Sequence, residues 1–176
     1  NSEHLLNLIN NILDQSRIEA NQLKLVKGEH DIYRLLDDVK LLMQPIADSK
    51  GVAIRLDIAA RVPRVLLIDR TRVKQILINL VGNALKFIEH GHVRIAVEWQ
   101  DDQLKVAVED TGPGIPEAEL SKVMDRHYRG QGVSGKGSGL GLAIVQRLCE
   151  LYGWSIRFEN RKSGGLRAEI RFFDRG

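Results

Sequence analysis

The 176 residues are 43% hydrophobic and 28% charged, an ordinary globular composition with length for one full-sized domain and an appendage. The formal net charge of +3 is spread along the chain, and no run of Lys and Arg is interleaved with aromatics, which argues against a nucleic-acid groove. Cys149 is alone, so no disulfide framework or thiolate metal site is available, and no apolar stretch nears the roughly 20 residues of a membrane span. A reducing, cytoplasmic setting is expected, with any membrane segment outside this sequence.

Residues 2–25 place Leu5, Leu6, Ile9, Ile12, Leu13, Ser16, Ala20 and Leu23 near one stripe at the helical period, predicting a long helix with one adhesive face. Lys27-Gly28-Glu29-His30 reads as a linker, which divides the chain into residues 1–27 and a main domain over 28–176. Asp31 is placed to cap a helix running to about Ser49, with Ile32, Leu35, Leu36, Val39, Leu42 and Met43 at core spacing and Pro45 leaving its last turn open. Residues 52–58 alternate like a half-buried strand, and 65–68 form a short apolar run. Asp69 then caps a helix on which Val73, Ile76, Leu77, Leu80, Val81, Ala84, Leu85 and Ile88 make a wide apolar face, with Gln75, Asn79, Asn83 and Lys86 roughly opposite. Residues 92–99 and 104–109 alternate as a hairpin about Gln100-Asp101-Asp102-Gln103; residues 139–152 have a helical pattern, and 155–159 with 166–172 make a second hairpin about Lys162-Ser163-Gly164-Gly165. Helices and antiparallel strands alternate in blocks, so the fold class is α/β in two layers.

Three polar patterns interrupt this plan. Asparagine is mildly unfavourable within a helix, and Asn79 and Asn83 stand four apart on one; they are either a solvated face or neutral oxygen ligands for a phosphate-bound Mg²⁺, with Lys86 one turn on to meet phosphate charge. Asp110-Thr111-Gly112-Pro113-Gly114 follows a strand directly. It is either an Asp-capped turn or a carboxylate that accepts from an exocyclic amine such as adenine N6, with glycines that let backbone approach a flat base. Between Gly130 and Gly141 six residues are Gly, ending where a helix begins; this is a flexible loop or a phosphate cradle, but it lacks the Gly-Lys-Ser/Thr closure of a P-loop. His30, His90 and His92 show no metal-ligand spacing.

Taken together and in order, Asn79-Leu80-Val81-Gly82-Asn83-Ala84-Leu85-Lys86-Phe87, Asp110-Thr111-Gly112-Pro113-Gly114-Ile115-Pro116 and Gly137-Ser138-Gly139-Leu140-Gly141-Leu142 resemble the N, G1 and G2 boxes of the histidine-kinase ATPase family, over about residues 30–173. The resemblance implies a two-layer sandwich of a mixed sheet against three helices, the Bergerat-type ATP-binding fold shared with type II topoisomerases, heat-shock chaperones and mismatch-repair ATPases. It implies ATP and Mg²⁺ as cofactors, Asp110 as the adenine contact with Gly112 and Gly114 beside the base, and Asn83 as the Mg²⁺ ligand. Asn79 and Lys86 would approach the phosphates; Gly137, Gly139, Leu140 and Gly141 would bring lid and helix start onto the triphosphate, with Arg129 and Lys136 adding charge. Residues 1–27 resemble the second helix of the dimerisation and phosphoacceptor hairpin, without the acceptor histidine: His4 lacks the acidic residue, Arg and Pro that follow it in the family. The activity implied is transfer of the ATP γ-phosphate to a histidine, in a homodimer joined through that hairpin, with a response regulator receiver domain as partner. The setting implied is the cytoplasmic part of an inner-membrane sensor.

Hydrolase members of the superfamily carry a Glu where Asn79 stands, and an amide is no general base, so phosphoryl transfer is favoured over an ATP-driven clamp. The alternative is a degenerate nucleotide-binding module that regulates a partner by binding. Met124 and His127 stand where the family has Phe before the lid, and Leu166 follows Gly165 where a hydroxyl residue is expected, which would remove a polar contact.

Overall fold

The computed structural model describes residues 25–116 and 140–172; the expected N-terminal helix lies outside them, as do Met124 and His127. The first helix, α1 (Ile32–Lys50), is capped as expected, the Asp31 carboxylate accepting from Arg34 N, and it closes on Gly51 in the left-handed region at φ 66°. Pro45 does not end it. The proline removes the donor for the Leu41 carbonyl, but on the exposed flank of Leu41, Leu42 and Ile46 water can take that bond. Leu42, expected in the core, is therefore a surface residue, 50% exposed, while Ile32, Leu35, Leu36, Val39 and Met43 are buried.

The second helix, α2 (Arg70–Phe87), begins at Asp69, whose Oδ1 accepts from Arg72 N. All eight residues of its expected apolar face are buried. At its other end Lys50 Nζ donates to the carbonyls of Leu85 and Lys86, placing a cation at the helix C-terminus, where the unpaired carbonyls and the macrodipole favour one.

Five strands form the main sheet: β2 (Ala53–Ile58), β4 (His92–Gln100), β5 (Gln103–Asp110), β6 (Ser155–Asn160) and β7 (Leu166–Phe172), in the order β2-β4-β5-β7-β6. β2 runs parallel to β4 and every other pair is antiparallel, so the sheet is mixed. One face is apolar: Val93, Ile95, Val97, Val106, Val108 and Ile170 pack in a single core with α1, α2 and the third helix, α3 (Leu140–Tyr152). The other face is a lattice of cross-strand ion pairs, Arg94 opposite Glu109, Lys105 opposite Glu98 and Arg167 opposite Glu109. The two-layer mixed-sheet sandwich expected from the sequence is the fold found.

The linker reading of residues 27–30 is corrected. Gly28–Asp31 is a strand, β1, paired antiparallel with β3 (Val65–Ile68) in a separate two-stranded ribbon. Nothing in its own pattern marks it, because the four-residue strand Gly28-Glu29-His30-Asp31 has no apolar side chain and is specified by the partner's backbone.

Candidate nucleotide-binding site

The alternation that buries β5 on the helices also sends Asp110, its last residue, to the core side, where it is 8% exposed. Its Oδ1 accepts from Gly112 N at 2.9 Å, an Asx turn, and from Leu166 N at 3.2 Å, across 56 residues of sequence. Among the described residues nothing donates to Oδ2. Burial pushes the carboxyl above its ordinary range, against the pull of those two amides and of the Arg161 guanidinium. Leu166 reaches Asp110 through its backbone amide, a contact that does not depend on the side chain at this position.

The loop after Asp110 is fixed from two sides. Thr111 Oγ1 accepts from His92 N and donates to the His90 carbonyl, tying the loop to the start of β4. On the other side stands the turn between β6 and β7. Gly165, at φ 93°, lies so close that a Cβ there would fall 1.9 Å from the Asp110 carbonyl oxygen, and Gly114, at φ 75°, so close that its Cβ would fall 2.6 Å from Asn160 Oδ1. Both positions need glycine for conformation and for space.

The end of α2 meets this loop, since a Cβ on Gly112 would sit 3.6 Å from Ile88 Cα. Along the same helix Asn79 and Asn83 are half-buried and Lys86 is exposed. The Nδ2 of Asn79 is buried and has no hydrogen-bond partner among the described residues. A buried amide donor without a partner is costly, and an anionic oxygen such as a phosphate's would satisfy it. Asn83, one turn on, offers a neutral oxygen suited to Mg²⁺. Among the described residues no group of three His, Cys, Asp or Glu could hold a metal. Leu140 and Gly141 lie in the first turn of α3, which packs beside α2. Arg129, Lys136, Gly137 and Gly139 lie outside the described residues.

A cavity of about 140 Å³ between Leu25, Lys27, Asp69, Trp99, Trp154 and Phe172 is not this site. Its β5 residue, Leu104, is six positions from Asp110, about 20 Å along the strand. Sequence reading missed Asn160, Arg161 and Gly165; the one signal they left was Gly164-Gly165 in a hairpin turn.

A mixed sheet backed by three helices, with a buried carboxylate set among glycines beside a helix bearing Asn79 and Asn83, makes a two-layer α/β sandwich domain with a candidate nucleotide site. Residues 68–175 match the model of the family described as histidine kinase-, DNA gyrase B-, and HSP90-like ATPase, and the chain belongs to that family as a histidine-kinase type catalytic domain. It is 35% identical over 172 residues to the signal transduction histidine-protein kinase BarA of Escherichia coli, covering 93% of this chain and 19% of that protein. Full-length ShkA, solved in complex with AMPPNP, is 34% identical with a TM-score of 0.84, over 96% of this chain and 35% of that one. The histidine kinase ThkA, solved in complex with the response regulator protein TrrA, is 25% identical with a TM-score of 0.74, over 97% of this chain and 48% of that one. The chain thus spans about a fifth of the length of BarA. No helix among the described residues is long and apolar enough to cross a membrane.

Proposed function

We propose that this chain binds Mg·ATP at the Asp110 loop and, within a homodimeric sensor kinase, delivers the γ-phosphate to a histidine on the dimerisation hairpin, of which residues 1–27 are the second helix. The observation that carries the reading is the Asp110 carboxylate. One oxygen is held by two backbone amides while the other accepts nothing from the described residues, which suits it to accept from the exocyclic amine of adenine. Gly112 and Gly114 leave room for the base. Asn79 Nδ2 donates to a phosphate oxygen, Asn83 holds Mg²⁺, and Lys86 with the first turn of α3 at Leu140 and Gly141 neutralises phosphate charge. Arg129, Lys136, Gly137 and Gly139 complete the phosphate side. Mg²⁺ supplies charge neutralisation on the phosphates when bound.

An amide at Asn79 cannot take a proton, so water is left unactivated there and the phosphoryl group passes to an imidazole nitrogen that brings its own lone pair. Positioning and charge neutralisation are then the work of this domain. A response regulator receiver is the onward partner of the phosphohistidine, and the domain faces the cytoplasm. The test restores the acceptor helix upstream of residue 1 and follows phosphate from γ-labelled ATP. Acid-labile, base-stable phosphate on the acceptor histidine is expected. Tight ATP binding with no transfer would instead favour a module that regulates a partner by binding.

A further inference from the structure

The Asp110 loop takes its shape from a hairpin 45 to 56 residues away in sequence. Asn160, the last residue of β6, pairs its side-chain amide with the backbone N–H and C=O of Ile115: Oδ1 accepts from Ile115 N at 2.9 Å and Nδ2 donates to Ile115 O. A primary amide matches a peptide group in both senses, so this one side chain acts as a strand neighbour to the loop. Arg161, next in sequence, donates from Nη1 to the Asp110 carbonyl at 2.9 Å, while its own N–H and C=O close the turn on Gly165 and Gly164. The segment from Asp110 to Ile115 is thereby held at both ends by two adjacent residues of the opposing turn.

We propose that Asn160 and Arg161 are positioning residues that set the Asp110 loop for an amine-bearing base, and so determine the preference of the site for adenine over 6-oxopurine nucleotides; this rests on the nucleotide reading above. An ionised carboxylate only accepts hydrogen bonds, so it attracts a 6-amino group and repels a 6-oxo group, but only while its free oxygen points at that position. Displacement of the loop by a fraction of an ångström weakens both effects together and leaves the phosphate contacts alone.

The experiment titrates ADP and inosine diphosphate, with Mg²⁺, into the whole chain and its variants, with the melting midpoint of each recorded. Wild type prefers ADP. Asn160→Leu and Arg161→Met each lose about tenfold in ADP affinity and hold inosine diphosphate within about twofold, so the preference collapses. Arg161→Lys, which keeps a cation and a donor, retains most of it. A merely structural role lowers the midpoint without moving the ratio. If the two nucleotides weaken in parallel, or the wild-type ratio persists in both variants, the proposal is wrong while the nucleotide site stands. A wild type that binds ADP with no preference, or not at all, overturns the Asp110 reading and this inference with it. Should Asn160→Leu fail to fold, the two Arg161 variants decide.

Discussion

Asp110 is held where a carboxylate is least comfortable. Its folded-state pKa lies above the ordinary 3.8 because burial outweighs the Gly112 and Leu166 amides and Arg161. By linkage, a raised carboxyl contributes stability below its unfolded-state pKa, and that contribution is lost as pH rises through the folded value. At neutral pH the ionised side chain is therefore a cost to the fold. Asp110→Asn keeps an oxygen to accept from the two amides, so it should raise the melting midpoint of the ligand-free protein at pH 7 and bring the two proteins closer at pH 3. The same variant should weaken ATP binding by about 1.5–3 kcal/mol, because a charge-assisted acceptor is lost. Wild-type affinity in calorimetry would remove Asp110 from the base contact. Asn83 carries a parallel expectation. Asn83→Ala should lose on the order of tenfold in ATP affinity with Mg²⁺ and much less in EDTA, and equal losses would dismiss it as a metal ligand.

The β4–β5 hairpin turns through Asp101 and Asp102, both left-handed at φ 54° and 58°. Two-residue turns of this twist match the strands they join but suit Asn and Gly better than a pair of acids. Asp102→Gly should raise stability by up to about 1 kcal/mol in urea unfolding, and a loss would mean that the acid makes a contact worth more than the strain. At the elements that bear the site, local signals were strong. Asp31 and Asp69 could be read as caps because the oxygen that satisfies a helix's first amides is three residues from its target, and the stripe from Val73 to Ile88 could be read because burial follows the 3.6-residue period. Leu42 shows the limit of that reading. It sits at the edge of the α1 stripe, and the neighbours available there left it outside.

On the scale of the molecule, nucleotide binding and folding are coupled. A ligand that binds only the folded chain adds about 2.7 kcal/mol at a hundred times its dissociation constant, so saturating Mg·ADP should raise the melting midpoint of wild type and do so far less for Asp110→Asn. Equal shifts would place the nucleotide elsewhere. The sequence by itself determined the three described helices, the caps at Asp31 and Asp69, both hairpins and the two-layer class, because each is encoded within a few neighbouring residues. Only the tertiary structure decided that Gly28–Asp31 is a strand, that β3 leaves the main sheet to join it, and that β2 lies parallel beside β4. It alone placed Asn160, Arg161 and Leu166 against the Asp110 loop. Each of those contacts takes at least one partner from the backbone of a distant part of the chain, and a peptide group is the same at every position, so its partner is chosen by the packing of everything between.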